Sequence, residues 1–178
     1  MAPIVTSVEI ARPPEEVFDY VIDPSRFVEW QEGVVSGRME GDGPHGVGSR
    51  CISTRRIGGG ERASTAEITA FDPPRAWADH GIDGPIRARV NVAVEPLDGG
   101  TRSRVTITLD FEGFGIGKLL VPLVVRRQAQ KEMPENCQRL KHRLESGPDD
   151  ERLDRLAREA QHDDDERKSR GRATAPFV

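Results

Sequence analysis

The chain contains several stretches in which apolar and polar residues alternate, which is the pattern of a β-strand with one buried face. The first, 4–10, is rich in β-branched residues and places Ile4, Val8 and Ile10 on one side. Turn signals containing glycine or proline separate the stretches that follow. The predicted strands are 4–10, 34–39, 48–57, 61–71, 76–82, 86–95 and 103–111. Half-buried strands of this kind are typical of an antiparallel sheet that has one solvent-exposed face.

Two short helices are predicted between the first two strands. Pro14 is suited to the first position of a helix, and two acidic residues follow it in the first turn. Asp23 is a suitable cap for a second, shorter helix that begins at Pro24 and carries Trp30. Both helices would lie before the hairpin-linked strands begin.

The longest segment compatible with a helix is 115–145. Its apolar residues recur at three- and four-residue steps, so they share one face, and the full segment would be about 45 Å long. Pro122 is expected in the first turn of the main helix, and Pro134 is expected to kink it. Arg126 and Gln130 interrupt the apolar face. Either the helix is a lid with polar groups at its middle, or both side chains reach solvent from a rotated face.

The order of these elements predicts the fold class. An antiparallel sheet with one apolar face must be covered, and among the predicted elements only the terminal helix is long enough. The sequence therefore predicts an α+β fold in which a curved antiparallel sheet of six to seven strands wraps around a long C-terminal helix. Two short helices follow the first strand. A strongly twisted sheet would leave a space beneath the helix and a tightly closed sheet would leave none; the sequence leaves both open.

The composition changes after residue 146, which predicts a folded domain over 1–146 and a charged tail over 147–178. A short amphipathic helix is predicted within 149–161. From Asp163 onward the chain is charged and poor in apolar residues, which is typical of disorder. The tail is therefore either a solvated segment or a docking segment for a protein partner.

Charge and cysteine content narrow the range of partners. Among 178 residues, 26 Lys and Arg face 30 Asp and Glu, and the net charge of −4 favours neither nucleic acid nor an anionic membrane surface. Cys51 and Cys137 are far apart in sequence and are expected to be reduced thiols, as in the cytoplasm. No apolar stretch approaches the roughly 20 residues that span a bilayer, and the N-terminus lacks signal-peptide features. We therefore expect a cytoplasmic protein.

The chain contains a set of local motifs in a fixed order: Pro13-Pro14-Glu15-Glu16-Val17-Phe18, Asp23-Pro24, Trp30, Gly46-Val47-Gly48, Phe71-Asp72-Pro73-Pro74-Arg75 and the long terminal helix. These motifs resemble those of the START-related polyketide cyclase/dehydrase and lipid-transport superfamily, also called SRPBCC, which has the helix-grip fold. The resemblance covers about residues 3–146, and it implies a deep, mainly apolar cavity between the sheet and the terminal helix. Relatives use such cavities to bind lipids, polyketides or other hydrophobic ligands, and some catalyse cyclisation or dehydration there.

A cavity of this kind combines apolar walls with a few polar groups that orient the ligand. Trp30 would either line its mouth or anchor the core. Arg126 and Gln130 would offer an anion partner and an amide, and Met133 an adaptable wall. Arg55 lies on a central strand whose inward-facing side the sequence does not determine.

His80 is the best candidate for a general acid or base, because histidine titrates near neutrality. Its neighbour Asp79 would point to the opposite face of the strand, so the two do not form a ready-made dyad. The sequence contains no metal-ligand spacing, phosphate-binding loop or Gly-x-Ser-x-Gly motif, and no cofactor is predicted. The first functional hypothesis is binding or transfer of a small hydrophobic ligand. The alternative is a polyketide cyclase or dehydratase that acts in the same cavity.

Overall fold

A computed structural model describes residues 2–57, 60–120 and 124–146, and the structural statements below concern these ranges. The chain divides into a compact unit, Met1–Glu145, and a second unit, Ser146–Val178. The first unit contains every helix and strand described here. The charged tail and the short helix predicted from residue 147 onward lie outside the described residues, so they stay predictions.

Seven antiparallel strands form one curled, half-barrel sheet, as predicted. The strands are β1 (Ile4–Ile10), β2 (Val34–Met39), β3 (Arg50–Ile57), β4 (Gly60–Asp72), β5 (Ala76–Gly81), β6 (Ile86–Leu97) and β7 (Arg102–Gly113). Their spatial order is β1-β7-β6-β5-β4-β3-β2, so the strands from β2 to β7 are sequential neighbours and β1 returns to pair with β7. Each predicted strand is present, and its ends lie within two residues of the predicted ones.

The two predicted helices after the first strand are confirmed. α1 (Pro14–Ile22) begins at the predicted proline, and a 3₁₀ turn (Pro24–Arg26) leads into α2 (Phe27–Trp30). The Asp23 carboxylate accepts a hydrogen bond from the backbone N–H of Ser25 at 2.9 Å, as expected of a capping residue. This cap fixes the direction in which the chain leaves α1.

Two helices are described in the C-terminal segment. α3 (Gly117–Leu120) and α4 (Arg126–Glu145) both lie within 115–145, the range predicted to be compatible with a helix. Residues 121–123 lie outside the described residues, so the place of Pro122 in the first turn of the main helix stays a prediction. Pro134 lies inside α4, which has 20 residues and is therefore about 30 Å long.

The buried face of α4 differs from the predicted one near its middle. Gln130, predicted on this face, is exposed, and Ala129 is buried instead. Because consecutive residues of a helix lie about 100° apart, the line from Ala129 to Met133 leaves Gln130 to one side. The buried residues of α4 are Arg126, Ala129, Met133, Asn136, Cys137 and Leu140.

α1 packs against one half of the inner face of the sheet. Phe18 stands edge-on to Trp77 and Phe71, with ring centroids 5.7 and 6.0 Å away. In the same apolar cluster, Val94 of β6 is 1% exposed and Val105 of β7 is fully buried. This half of the sheet is therefore closed by buried apolar side chains.

A tight glycine turn takes the chain from β7 to α3. A Cβ atom on Gly117 would overlap the Pro85 carbonyl oxygen, and one on Gly113 would overlap the backbone of Gly117. The backbone N–H of Phe114 also donates to the Pro85 carbonyl at 2.8 Å. The turn holds the start of α3 against the loop that precedes β6, and only glycine fits there.

Replacing Gly117 by alanine should lower the free energy of unfolding by about 1–3 kcal/mol, because the new methyl group overlaps backbone that cannot rotate away. Chemical denaturation measures the change. Gly43→Ala is the matched control, since nothing lies within 4 Å of a Cβ atom at that exposed glycine. Equal stability of the two variants would contradict the close approach at Gly117.

Candidate functional site

The burial of the inner face changes along the strands. On β6, Val92 and Val94 are 3% and 1% exposed, whereas Val90 and Ala88, further back on the same face, are only partly buried. Burial decreases in the same direction along β7, because β7 pairs with β6 in register. We call this decrease the burial gradient. We call the partly exposed region the open half, defined by the inward-facing residues Cys51, Arg55, Asp79, Ala88, Val90, Leu109 and Phe111.

Arg55 of β3 lies at the rim of the open half. Its guanidinium donates to the side-chain oxygen of Gln31 and, at 3.5 Å, to the backbone carbonyl of Glu32, both in the link between α2 and β2. Burial lowers the pKa of Arg55, and Glu132 of α4 is close enough to oppose that shift. Arg55 therefore faces α4, which settles the parity of β3 that the sequence left open.

The link that holds Arg55 is itself fixed to α4. The backbone N–H of Glu32 donates to the Asn136 side-chain oxygen at 2.9 Å, and Arg139 pairs with the Glu32 carboxylate. Asn136 is 6% exposed, so it is a buried polar residue with a defined partner. The rim of the open half thus joins β3, the α2–β2 link and α4.

Asp79 of β5 shares the inner face with Arg55. The Trp77 indole N–H donates to its carboxylate, and Cys51 and Arg55 lie close enough to interact with it electrostatically. Burial raises the pKa of Asp79 to about 6, although Trp77 and Arg55 both act in the opposite direction. The residue nevertheless retains accessible surface. A group that is surrounded by protein and still reached by solvent lies in a concave space.

We call the neighbouring residues Cys51, Arg55 and Asp79 the polar group. Within it, Cys51 is not a nucleophile. Burial, with a smaller contribution from Asp79, raises the pKa of its thiol to about 12. The thiol therefore stays protonated at neutral pH, whereas a reactive cysteine requires the thiolate. Cys51 acts as a small apolar wall residue beside Asp79.

Arg126 is placed at the edge of the sheet rather than among these residues. Its Nη1 atom lies 2.7 Å from the Asp110 carboxylate, and its Nη2 atom donates to the carbonyl of Ala2. Asp110 alternates with the inward-facing Leu109 and so belongs to the outer face of β7. The guanidinium thus fastens the start of α4 to the edge formed by β7 and the N-terminus.

His80 lies on the outer face of β5, opposite Asp79, as the alternation of the strand requires. Its Nε2 atom is 3.6 Å from a Glu112 carboxylate oxygen, and Arg89 pairs with the other oxygen of Glu112. Among the described residues, this imidazole nitrogen has no hydrogen-bond partner. The structure therefore does not bring His80 together with Arg55.

The remaining candidates are apolar or exposed. Trp30 is 6% exposed and packs edge-on against Phe27 at 6.1 Å, and its indole nitrogen has no partner within the described part of the chain. Met133 is 7% exposed and contributes to the core from α4, while Gln130 faces solvent. Of the six candidates, only Arg55 shares the polar group of the open half.

Two grooves lie apart from the open half. One, of about 460 Å³, runs between β1 and α4 and includes Thr6 and Pro134. The other, of about 550 Å³, lies beside Pro73 and Pro74. Both are open to solvent, and neither includes Cys51, Arg55 or Asp79.

Comparison with known proteins agrees with this architecture. The model of the family described as polyketide cyclase / dehydrase and lipid transport matches residues 1–145. The chain therefore belongs to the polyketide cyclase/dehydrase and lipid-transport family, and its fold is the helix-grip fold. No curated protein matches the sequence at a significant level.

Solved structures share the fold at low sequence identity. A START superfamily protein from Mycobacterium smegmatis has a TM-score of 0.66 at 16% identity, with 82% of this chain and 98% of that one covered. A protein from Thermus thermophilus has a TM-score of 0.64 at 20% identity, covering 80% and 96%. The di-domain aromatase/cyclase BexL of the BE-7585A biosynthetic pathway has a TM-score of 0.63 at 16% identity, covering 80% and 46%.

Sequence reasoning missed Asp79 as an inward-facing residue. The available signal was its spacing from Trp77, because residues two apart on a strand share a face and a tryptophan at that position is expected to be buried. Asn136 was also missed, since an asparagine on a helix gives no signal before its partner, Glu32, is known. Within the described residues, no helix combines the length and apolarity needed to span a membrane.

Replacing Asp79 by asparagine should stabilise the protein above about pH 6. Because the pKa of Asp79 is raised to about 6 in the folded state, the stability it contributes is present at low pH and is lost as the pH rises through that value. The variant should match the wild type below about pH 4 and exceed it by on the order of 1–2 kcal/mol at about pH 8.

Urea denaturation across this pH range measures the difference, with Asp42→Asn in the exposed loop before β3 as the control. A constant difference at every pH would show that Asp79 does not titrate as described.

Proposed function

We propose that this protein binds a small, mainly apolar ligand in the open half of the inner face. The observation that carries the proposal is the burial gradient, in which Val94 and Val105 are packed while Ala88 and Phe111 on the same faces keep accessible surface. Apolar residues that stay accessible on a concave surface are suited to contact with an apolar guest.

The polar group supports binding of a ligand that carries at least one polar atom. Among the described residues, no carboxylate lies within 4 Å of the Arg55 guanidinium, so part of its donor capacity is free for a ligand oxygen. Asp79 stands on the same face, inside an otherwise apolar region formed in part by Ile68 and Val90. A few polar atoms within apolar walls fix the orientation of a ligand while the walls provide affinity.

The membership in the family supports this proposal without naming the ligand. The family description includes both cyclisation or dehydration and lipid transport, and the BexL structure shows that a related fold occurs in an aromatase/cyclase. We propose binding or transfer as the primary function, in the cytoplasm. A protein partner for residues 147–178 and the lack of nucleic-acid binding stay predictions from the sequence.

Filling the open half should weaken ligand binding. Ala88→Leu adds a larger side chain on the inner face of β6 and should reduce affinity for the neutral dye Nile red by about tenfold, because the guest loses its space. Asn91→Leu is the matched control, since it adds the same side chain to the exposed outer face of the same strand.

Fluorescence titration measures both variants, and native mass spectrometry of protein purified from its own cells shows whether an organic ligand accompanies it. Equal affinities in the two variants, or no dye binding by the wild type, would argue against the proposal.

A second candidate function, a polyketide cyclase or dehydratase, is favoured by the pairing of a cation with a proton-exchanging acid. Arg55 would polarise a carbonyl oxygen and Asp79 would take or give a proton, and a bound substrate would displace water from both. If this is the function, Arg55→Gln and Asp79→Asn should each lower turnover of a polyketide substrate by about 100-fold or more.

His80→Ala is the comparison, because His80 was the acid–base candidate of the sequence and lies on the outer face. Loss of turnover in His80→Ala with full activity in Asp79→Asn would reverse the assignment. No turnover of any polyketide by the wild type would reject this second function.

A further inference from the structure

Asp79 is a carboxylate that packing does not explain. It lies directly between Ile68 on β4 and Val90 on β6 in the register of the sheet, so its strand neighbours are apolar. In the described part of the chain its one hydrogen-bond donor is the Trp77 indole, and no lysine or arginine comes within 4 Å of it. A charged group placed in such surroundings costs stability, and residues that carry such a cost are commonly found at functional sites.

The surroundings of Asp79 leave most of the hydrogen-bond acceptor positions of its carboxylate unoccupied. A carboxylate has two oxygens and about four acceptor positions, of which Trp77 occupies one. Four titratable or charged groups share this face or lie against it. They are Cys51 and Arg55 of β3, the exposed Arg62 of β4, which pairs with Arg55 in the sheet, and Glu132 of α4 next to Arg55. The Cys51 thiol is protonated, Arg55 is a donor, and the Glu132 carboxylate accepts a hydrogen bond from the Gln128 side chain on α4. Asp79 is therefore the acceptor within the apolar region of the open half.

We propose that Asp79 accepts a hydrogen bond from a hydroxyl group of the ligand, so that the site selects apolar molecules that carry an alcohol, phenol or enol. This inference rests on the proposed binding function and specifies its ligand class. Arg55 then meets an acceptor atom of the same ligand at the rim. A hydrogen bond to an ionised acceptor in a site of low dielectric is stronger than one to a neutral acceptor, and it is the interaction that discriminates such ligands from their ethers.

The test uses two probes that differ in one hydrogen-bond donor, 2-naphthol and its methyl ether 2-methoxynaphthalene. Neither ionises between about pH 5 and about pH 8, so a pH dependence of their affinity ratio reports on the protein. The wild type should bind the naphthol about tenfold more tightly near pH 8. The ratio should fall as the pH drops through about 6, because the protonated carboxyl is a weaker acceptor than the carboxylate.

Two substitutions at the site make the test specific. Asp79→Asn keeps the shape of the side chain and removes its charge, so the ratio should be lower and independent of pH. Asp79→Ala removes the acceptor, so the ratio should approach one. Glu67→Gln is the matched control, because Glu67 is a carboxylate of β4 that pairs with Arg50 away from the inner face, and its ratio should equal that of the wild type.

The outcomes separate this inference from the function on which it rests. If both probes bind the wild type with equal affinity, or if Asp79→Ala keeps the preference for naphthol, the role of Asp79 is overturned while ligand binding stands. The role of Asp79 is also overturned if the affinity ratio of the two probes still depends on pH in Asp79→Asn and no longer does so in Glu132→Gln. If neither probe binds, the proposed function fails, and the inference fails with it.

Discussion

The structure depends on how an antiparallel sheet with one apolar face is covered. Seven strands present more inner surface than the described helices bury, so coverage is uneven. α1 and the C-terminal part of α4 close the half around Val94 and Val105, where burial of apolar side chains provides most of the stabilisation. Toward Ala88 and Phe111 the same faces of the same strands keep accessible surface. The closed half supplies stability for the fold, and the open half is the region in which we propose that a ligand binds.

The charged residues of the inner face differ from those of the outer surface in whether they form ion pairs. Most charged groups of the described chain pair on the outer surface, where an ion pair contributes little, as Arg104 does with Glu9. Arg55 and Asp79 are exceptions, because they face inward and neither has an oppositely charged partner within 4 Å among the described residues. Burying unpaired charges is costly, and sites of function are where such costs are usually found. The two residues give the open half a donor and an acceptor within apolar walls.

The strands, the first two helices and the family were predictable from the sequence because they depend on local signals. Alternation defined the strands, and the proline and aspartate at helix starts defined α1 and the turn before α2. The exposure of Gln130 was not predictable, since a three- and four-residue pattern fits more than one helical face. The positions of Arg126 and Arg55 depend on partners distant in sequence, Asp110 and Gln31, which no local pattern specifies.

The most direct test of the open half is a crystal structure of the protein soaked with an iodinated benzene, in which anomalous scattering locates the iodine. We predict anomalous density for iodine within about 4 Å of the inward-facing side chains of Ala88, Val90, Leu109 and Phe111. An inner face filled by side chains, or iodine density only in the grooves beside β1 and Pro73, would contradict it.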